Sequence, residues 1–302
     1  MYGTIVVGFD GSERARDALS LAALLRARDG AVIAGCVYPA AGPGSRKELE
    51  PVLADAARET LTDARKQIDD DWLSLQPVPG HSSAHGLHVL SEEAEADLVV
   101  VGSSHRGDLG RVLAGSTGER LLNGSHCPVA VAPSGFVSDA RAPRVIAVAY
   151  DGSHEAAAAL HEGAALAAEL HGTLKLVTVV PPLEAFSADA RYHPHDSDAE
   201  IEHYRREEFR RMLEDAAEPI SEELRAVTVL AEGKPAAEIV DQAGKGVDLL
   251  VMGSRNYGPI RRVMVGSTAI AVTRGSPCPV IVIPRGAATP RADAATAASM
   301  RA

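Results

Sequence analysis

The sequence predicts an α/β protein made of two tandem repeats, each a parallel sheet covered by helices. Short apolar runs alternate with amphipathic helical segments, which is typical of parallel α/β folds. The chain also aligns with itself: residues 5–12 match 146–153, and residues 126–133 match 277–284. Two copies of a unit of about 140 residues indicate a pair of domains rather than a solenoid.

The composition is that of an ordinary globular protein. Of the 302 residues, 46% are hydrophobic and only 4% are aromatic, so we expect a core of Ala, Val, Leu and Ile. The formal net charge of −11 opposes general binding to nucleic acid or to an anionic membrane. Three cysteines are too few for a disulfide framework, and we find neither a signal peptide nor an apolar stretch of about 18 residues. We therefore expect a cytoplasmic protein.

The first repeat begins with a buried strand at residues 4–9, and Ser12 then caps a helix that we expect to end at Asp29-Gly30. A second strand follows at residues 31–38. We expect a long charged helix at 47–75 and a third strand at 76–81, where Pro77 and Pro79 leave little room for one. The remaining elements are a helix at 84–96, a strand at 97–101, a helix at 117–123 and a strand at 128–132.

The second repeat follows the same order, with Pro235 placed to open the helix before its fourth strand. We predict domains at 1–135 and 143–286, a joint at 134–143, and a disordered tail at 287–302. The predicted strands of the second repeat are residues 144–150, 174–180, 227–231, 247–252 and 279–283.

A pair of glycines recurs at one spacing in both repeats. Gly102 precedes Gly115 by thirteen positions, and Gly253 precedes Gly266 by the same number. Loop amides and the free N–H groups of a following helix form an anion site, which predicts phosphate binding. The hydroxyls that could add hydrogen bonds are those of Ser116, Thr117, Ser267 and Thr268. The alternative is a capping box of Ser116 with Glu119, which would not require the duplication.

An Asp-Gly-Ser segment ends the first strand of each repeat. These segments are Asp10-Gly11-Ser12 and Asp151-Gly152-Ser153. Ligands of open parallel sheets bind beyond the carboxyl ends of the strands, so each Asp is a candidate to bind a ribose hydroxyl, a base or a phosphate-bound metal. The alternative is that each Asp only shapes the turn.

Taken together, these segments and the Cys-Pro-Val strand starts at 127–129 and 278–280 resemble the universal stress protein family, in the tandem form frequent in actinobacteria. The resemblance covers residues 1–135 and 143–286. It implies a Rossmann-like five-stranded parallel sheet in each repeat, ordered 3-2-1-4-5 with helices on both faces. It also implies that the protein binds ATP, with Mg²⁺ on the phosphates. The fifth strands of the two repeats are expected to pair as a pseudo-dimer within one chain, and two chains could form a homodimer.

The phosphate motif of the family has a middle glycine that this chain lacks. His105 stands there in the first repeat and Asn256 in the second. Asn adopts left-handed backbone conformations readily, so the second loop is the better candidate from sequence. Gly107 and Gly258 could supply the missing flexibility.

The resemblance also assigns roles by position. Asp10 and Asp151 would meet adenosine, Val37 and Val179 would pack on adenine, and Val101 and Met252 would flank it. The phosphate residues would be Gly102, Gly115, Ser116, Thr117, Gly253, Gly266, Ser267 and Thr268. A cluster of Arg255, Arg261 and Arg262 either neutralises phosphate or is a solvated face. His193, His195 and His203 lack a fixed ligand spacing, so we predict no metal site there.

We therefore predict an ATP-binding module in stress response or signalling. Two alternatives stay open: an ATP-independent interaction scaffold with degenerate sites, and a slow ATPase or nucleotidyl transferase. The sequence shows no Ser-His-Asp set, Walker loop or zinc-protease helix, so we predict no catalytic residue.

Overall fold

The strands of both repeats join one continuous sheet. The structure, a computed structural model, describes residues 1–40, 49–104, 110–139, 141–183, 197–220, 224, 226–254 and 266–286. Within these ranges the strands are β1 (Tyr2–Gly8), β2 (Arg26–Pro39), β3 (Leu73–Gly80), β4 (Leu98–Gly102), β5 (Val129–Ala132), β6 (Val145–Ala149), β7 (Thr173–Val180), β8 (Val227–Glu232), β9 (Leu249–Gly253) and β10 (Val280–Ile283). The helices are α1 (Glu13–Leu25), α2 (Glu50–Gln67), α3 (Ser83–Glu93), α4 (Ser116–Leu122), α5 (Phe136–Asp139), α6 (His154–Glu169), α7 (Asp198–Ala217), α8 (Pro235–Ala243) and α9 (Ser267–Val272).

The strand order of the sheet is β3-β2-β1-β4-β5-β10-β9-β6-β7-β8. The order 3-2-1-4-5 is therefore confirmed in the first repeat, and the second repeat has the same order from the other side. All neighbours within a repeat are parallel. The fifth strands β5 and β10 pair antiparallel inside the one chain, with Ala130 opposite Ile281. Because of this antiparallel pair, the carboxyl ends of the two sets of strands lie at opposite edges of the sheet.

Helices cover both faces of the sheet, as predicted. Successive strand residues point to opposite faces, so Ile5 and Val7 join one buried cluster while Val6 joins the other. The first cluster contains residues of α1, α2, α6 and α7, and the second contains residues of α3, α4, α8 and α9. Strands buried on both faces explain why their sequences are continuous apolar runs.

Two predicted helices in the first repeat are too long. The helix after Ser12 ends at Leu25, not at Gly30, because the next residues already belong to β2, where Arg26 pairs with Tyr2. The predicted helix at 47–75 ends at Gln67, because Leu73 starts β3 opposite Val32. The prolines of β3 are tolerated because β3 is an edge strand, hydrogen-bonded on one side only.

The joint between the repeats contains the short helix α5, which the sequence did not indicate. The buried carboxylate of Asp17 on α1 holds it by accepting N–H groups from Gly135 at 2.8 Å and from Val137 at 2.9 Å. Burial raises the pKa of Asp17, and these hydrogen bonds oppose the rise without cancelling it. The joint is therefore fastened to the first repeat.

Candidate functional site

A cavity of about 230 Å³ opens at the carboxyl ends of β1, β2 and β4 in the first repeat. The glycines Gly8 and Gly35 also line it. The predicted site residues that line this cavity are Asp10, Ser12, Val37, Val101, Gly102, Gly115, Ser116 and Thr117. Residues separated by about a hundred positions in the sequence thus meet around one space.

The Asp-Gly-Ser segments form tight turns in both repeats. An oxygen of Asp10 accepts the N–H of Ser12 at 3.0 Å, and Asp151 accepts that of Ser153 at 3.1 Å. Gly11, between the cavity residues Asp10 and Ser12, has a φ of 79°, in the left-handed region that favours glycine. Each serine then caps its helix, as predicted for Ser12. The turn interpretation is therefore confirmed, and the exposed Asp10 lines the cavity as well.

Two glycines leave the space in which the side chain of Val37 lies in the cavity wall. A Cβ atom on Gly86 would lie 2.6 Å from Cγ1 of Val37, and one on Gly80 would lie 2.9 Å from it. Val101, on β4, is 6% exposed and also lines the cavity. The two valines give this part of the cavity an apolar lining, of the kind that a planar base can contact.

The first glycine of each phosphate motif has a packing reason. A Cβ atom on Gly102 would lie 2.1 Å from the backbone oxygen of Arg14, and one on Gly253 would lie 2.7 Å from that of Glu155. In each repeat the glycine lets the first turn of the helix after strand one approach the end of strand four. Their duplication therefore follows from the fold and does not by itself require phosphate.

The second part of the motif begins α4. Gly115 is the N-cap residue, and no side chain caps the helix, so the alternative interpretation, a capping box of Ser116 with Glu119, is wrong. The Glu119 carboxylate instead accepts two hydrogen bonds from Arg274 of the second repeat, at 2.6 and 3.0 Å. Ser116 and Thr117 therefore contribute to the cavity wall rather than to a cap.

Arg14 is a cavity residue that sequence reasoning missed. It lies in the first turn of α1, and its Nε donates to the backbone oxygen of Ser104 at 3.1 Å. Its counterpart against the equivalent glycine is Glu155, whose carboxylate lies 3.6 Å from Arg285. The self-alignment of the chain places Arg14 opposite Glu155, and this difference in charge was the signal by which the sequence could have indicated Arg14. The first cavity thus contains a cation where the second repeat has a carboxylate.

The predicted residues of the second repeat lie at the equivalent strand ends. Asp151, Gly152 and Ser153 follow β6, Val179 lies on β7, Met252 and Gly253 end β9, and Gly266, Ser267 and Thr268 begin α9. Because β6 lies between β7 and β9, the residues that follow β6 and those on β7 and β9 share one edge of the sheet. His105, Gly107, His193, His195, Arg255, Asn256, Gly258, Arg261 and Arg262 lie outside the described residues. The sequence-based preference for the second loop therefore stays a prediction.

The segment that leads to Gly115 is hydrogen-bonded to the second repeat. The N–H of Val112 donates to the oxygen of Ser276, and that of Ala114 donates to the oxygen of Thr273, both at 2.7 Å. Val112 and Ala114 are also buried. One wall of the first cavity is therefore positioned by the other repeat.

The cysteines carry no reactive thiol. Burial raises the pKa of Cys127 and of Cys278 to about 11, although the hydrogen bonds of these thiols with Ser125 and Ser276 lower it. Burial also raises the pKa of Cys36. Thiols of this kind are protonated at neutral pH and chemically inert.

Among the helices that the structure describes, none is long and apolar enough to cross a membrane.

Comparison with known proteins agrees with this architecture. The model of the universal stress protein family matches residues 1–133 and 143–284. A universal stress protein of Mycobacterium tuberculosis is 27% identical over 239 residues, covering 78% of this chain and 80% of the relative. The crystal structure of a universal stress protein from Archaeoglobus fulgidus aligns with a TM-score of 0.67 at 22% identity, over 94% of this chain and 96% of its own. A universal stress protein solved in complex with cAMP is 20% identical over 47% of this chain and 97% of its own, with a TM-score of 0.35. With both repeats matched, the chain belongs to the universal stress protein family.

Proposed function

We propose that this protein binds ATP in the cavity of the first repeat and acts as a nucleotide-dependent module in stress response or signalling. One observation carries the proposal: eight residues predicted from sequence line a single cavity at the strand ends. Open parallel sheets bind their ligands at this edge, beside the strand where the order reverses. The sequence alone favoured the second loop, but we place the first repeat ahead of the second because Arg14 supplies a positive charge where the second repeat has Glu155.

The cavity residues divide into groups that suit the parts of ATP. Val37 and Val101 offer the apolar contact for adenine, and Asp10 offers a carboxylate for the ribose. Gly115, Ser116 and Thr117 offer backbone and hydroxyl donors at the start of α4, next to Arg14, for the phosphates. Mg²⁺ prefers oxygen ligands and commonly binds through substrate phosphates, so the hydroxyls and Asp10 fit its presence beside ATP.

The same proposal includes two domains at 1–135 and 143–286, joined by the β5–β10 pair, and a cytoplasmic location. Three buried thiols that form no disulfide suit a reducing compartment. A homodimer of these chains is a further expectation of the proposal, to be measured by sedimentation.

One observation favours the alternative of an ATP-independent scaffold. Gly102 and Gly253 are required by the packing of the helices against the strands, so they would persist in a chain that binds no nucleotide. A titration of the full chain separates the two functions. The scaffold predicts no heat with ATP, whereas the nucleotide module predicts saturable binding.

The titration uses ATP, ADP, adenosine and cAMP with the unmodified chain and with matched variants. We expect Arg14→Gln to weaken ATP binding by about 10- to 150-fold, because one charge-assisted hydrogen bond contributes about 1.5–3 kcal/mol, and to leave adenosine binding unchanged. Arg16→Gln, two residues further along the same helix but outside the cavity, is the control. Loss of ATP binding in Thr117→Ala and not in Thr268→Ala assigns the first repeat. The reverse result would place ATP in the second, and multiple-turnover phosphate release would identify a slow ATPase.

A further inference from the structure

A cluster of two histidines and one glutamate lies on the first repeat, and none of the three is among the residues that line the cavity. His88 and Glu92 belong to α3, and His126 lies in the segment before β5. One ligand atom from each residue lies within 4.8 Å of the others. We propose that these three side chains bind a divalent transition-metal ion, with Zn²⁺ as the fitting ion.

The two residues on α3 already have the separation that zinc needs. Nε2 of His88 lies 3.4 Å from Oε1 of Glu92, since residues four apart share one helix face. Zinc bonds of about 2.0–2.1 Å in tetrahedral geometry place neighbouring ligand atoms about 3.4 Å apart. Small side-chain rotations complete the set with His126, whose ring centroid lies 6.1 Å from that of His88.

His126 supplies an independent indication of a ligand. Its Nδ1 atom is buried and has no hydrogen-bond partner among the described residues. A buried polar atom without a partner costs about 1–3 kcal/mol, so such an atom normally has a protein, water or metal partner. In a neutral histidine the nitrogen that carries no proton is able to bind a metal, and either ring nitrogen can take that role.

The donor set selects the class of ion. Two imidazoles and a carboxylate suit zinc and its neighbours, whereas Mg²⁺ and Ca²⁺ prefer oxygen ligands alone. Three protein ligands leave a coordination position for water. The side chains of His88 and Glu92 are 34% and 55% exposed, so an ion reaches them directly from solvent.

The site is specific to the first repeat and separate from the proposed nucleotide site. Pro277 stands at the position of His126 in the self-alignment, and the sequence of α8, the counterpart of α3, contains no histidine. The residues that line the cavity include Ser83 and Leu87 of α3 but not His88, Glu92 or His126. We therefore expect one zinc ion per chain, bound with or without nucleotide.

Zinc competition between the full, nucleotide-free chain and a chromophoric indicator tests the proposal. We expect one ion per chain and an affinity that falls at least tenfold in His88→Gln and in His126→Gln, because even outer residues of metal sites change affinity about 10–100-fold. His85→Gln, on the same helix but outside the cluster, is the control and should bind as the unmodified chain does. Millimolar Mg²⁺ should not displace the zinc.

Circular dichroism of the metal-free variants shows whether they are folded. Imidazole resonances of the unmodified chain give a second measurement that needs no variant: zinc should shift those of His88 and His126 and leave those of His81 and His85 in place. The proposal is overturned if the unmodified chain takes no zinc from the indicator. It is also overturned if both variants bind as tightly as the unmodified chain, or if His85→Gln weakens binding equally.

Discussion

Replacing Glu162 by glutamine should remove a pH dependence from the stability of the chain. Glu162 lies on α6 of the second repeat and has no solvent exposure, and it is hydrogen-bonded to Tyr2 on β1 of the first. Burial raises the pKa of Glu162 from 4.5 to about 7, although the hydrogen bond from Tyr2 lowers it. The folded state therefore holds this proton more tightly than the unfolded state does.

The raised pKa fixes both the sign and the size of the effect. The contribution of the protonated carboxyl is fully present below pH 4.5 and is lost as the pH rises to about 7. At 1.36 kcal/mol for each pH unit, the loss amounts to about 3 kcal/mol. Glutamine keeps the shape and carries no charge, so the variant should be more stable than the unmodified chain by up to that amount above pH 7.

Urea unfolding followed by far-UV circular dichroism between pH 5 and pH 8 measures this difference. The midpoint of the unmodified chain should fall across that range relative to the midpoint of Glu162→Gln. Glu59→Gln, an exposed residue of α2, controls for the loss of a charge alone. Parallel midpoints for the unmodified chain and Glu162→Gln would show that Glu162 titrates normally and would refute the reasoning.

Two further substitutions test the packing of the first repeat. Gly102→Ala should destabilise the chain by about 1–3 kcal/mol, because the added Cβ would lie 2.1 Å from a backbone oxygen. Gly124→Ala is the control: its added Cβ would lie 3.7 Å from the nearest atom, so the urea midpoint should change little. Equal urea midpoints for the two variants would contradict the close contact at Gly102. Asp17→Asn should cost about 1–3 kcal/mol by weakening the hydrogen bonds to α5. Limited proteolysis should then cut residues 134–143 faster, while the exposed control Asp55→Asn should leave the rate unchanged.

Most of the fold could be predicted from two features of the sequence, the internal duplication and the apolar runs of the buried strands. Continuous apolar runs such as 98–101 mark strands covered on both faces, and the self-alignment showed that the second repeat copies the first. Element ends were harder to predict. The residues after Leu25 look helical because they are charged, yet β2 continues through them to pair with Tyr2. Local propensity cannot report a partner that lies so far away in the chain.

In the candidate site, too, the residues that belong to a local sequence pattern could be predicted and the others could not. Asp10 and Thr117 could be predicted because strand ends and helix starts leave local patterns. Arg14 and His88 could not, since an isolated Arg or His on a helix resembles an ordinary surface residue until its neighbours in space are known. Ser116 shows the limit of a local pattern, because a serine three residues before Glu119 matches the capping box that was weighed as the alternative, while Gly115 occupies the cap position.

The hydrogen bonds from Val112 and Ala114 to the second repeat determine what counts as the smallest binding unit. A fragment ending near residue 135 would leave both buried N–H groups without their acceptors, Ser276 and Thr273. It would also uncover β5 as a bare sheet edge, which invites association with other chains. Any ligand affinity measured on such a fragment would describe a rearranged loop, so the two repeats must be studied as one molecule.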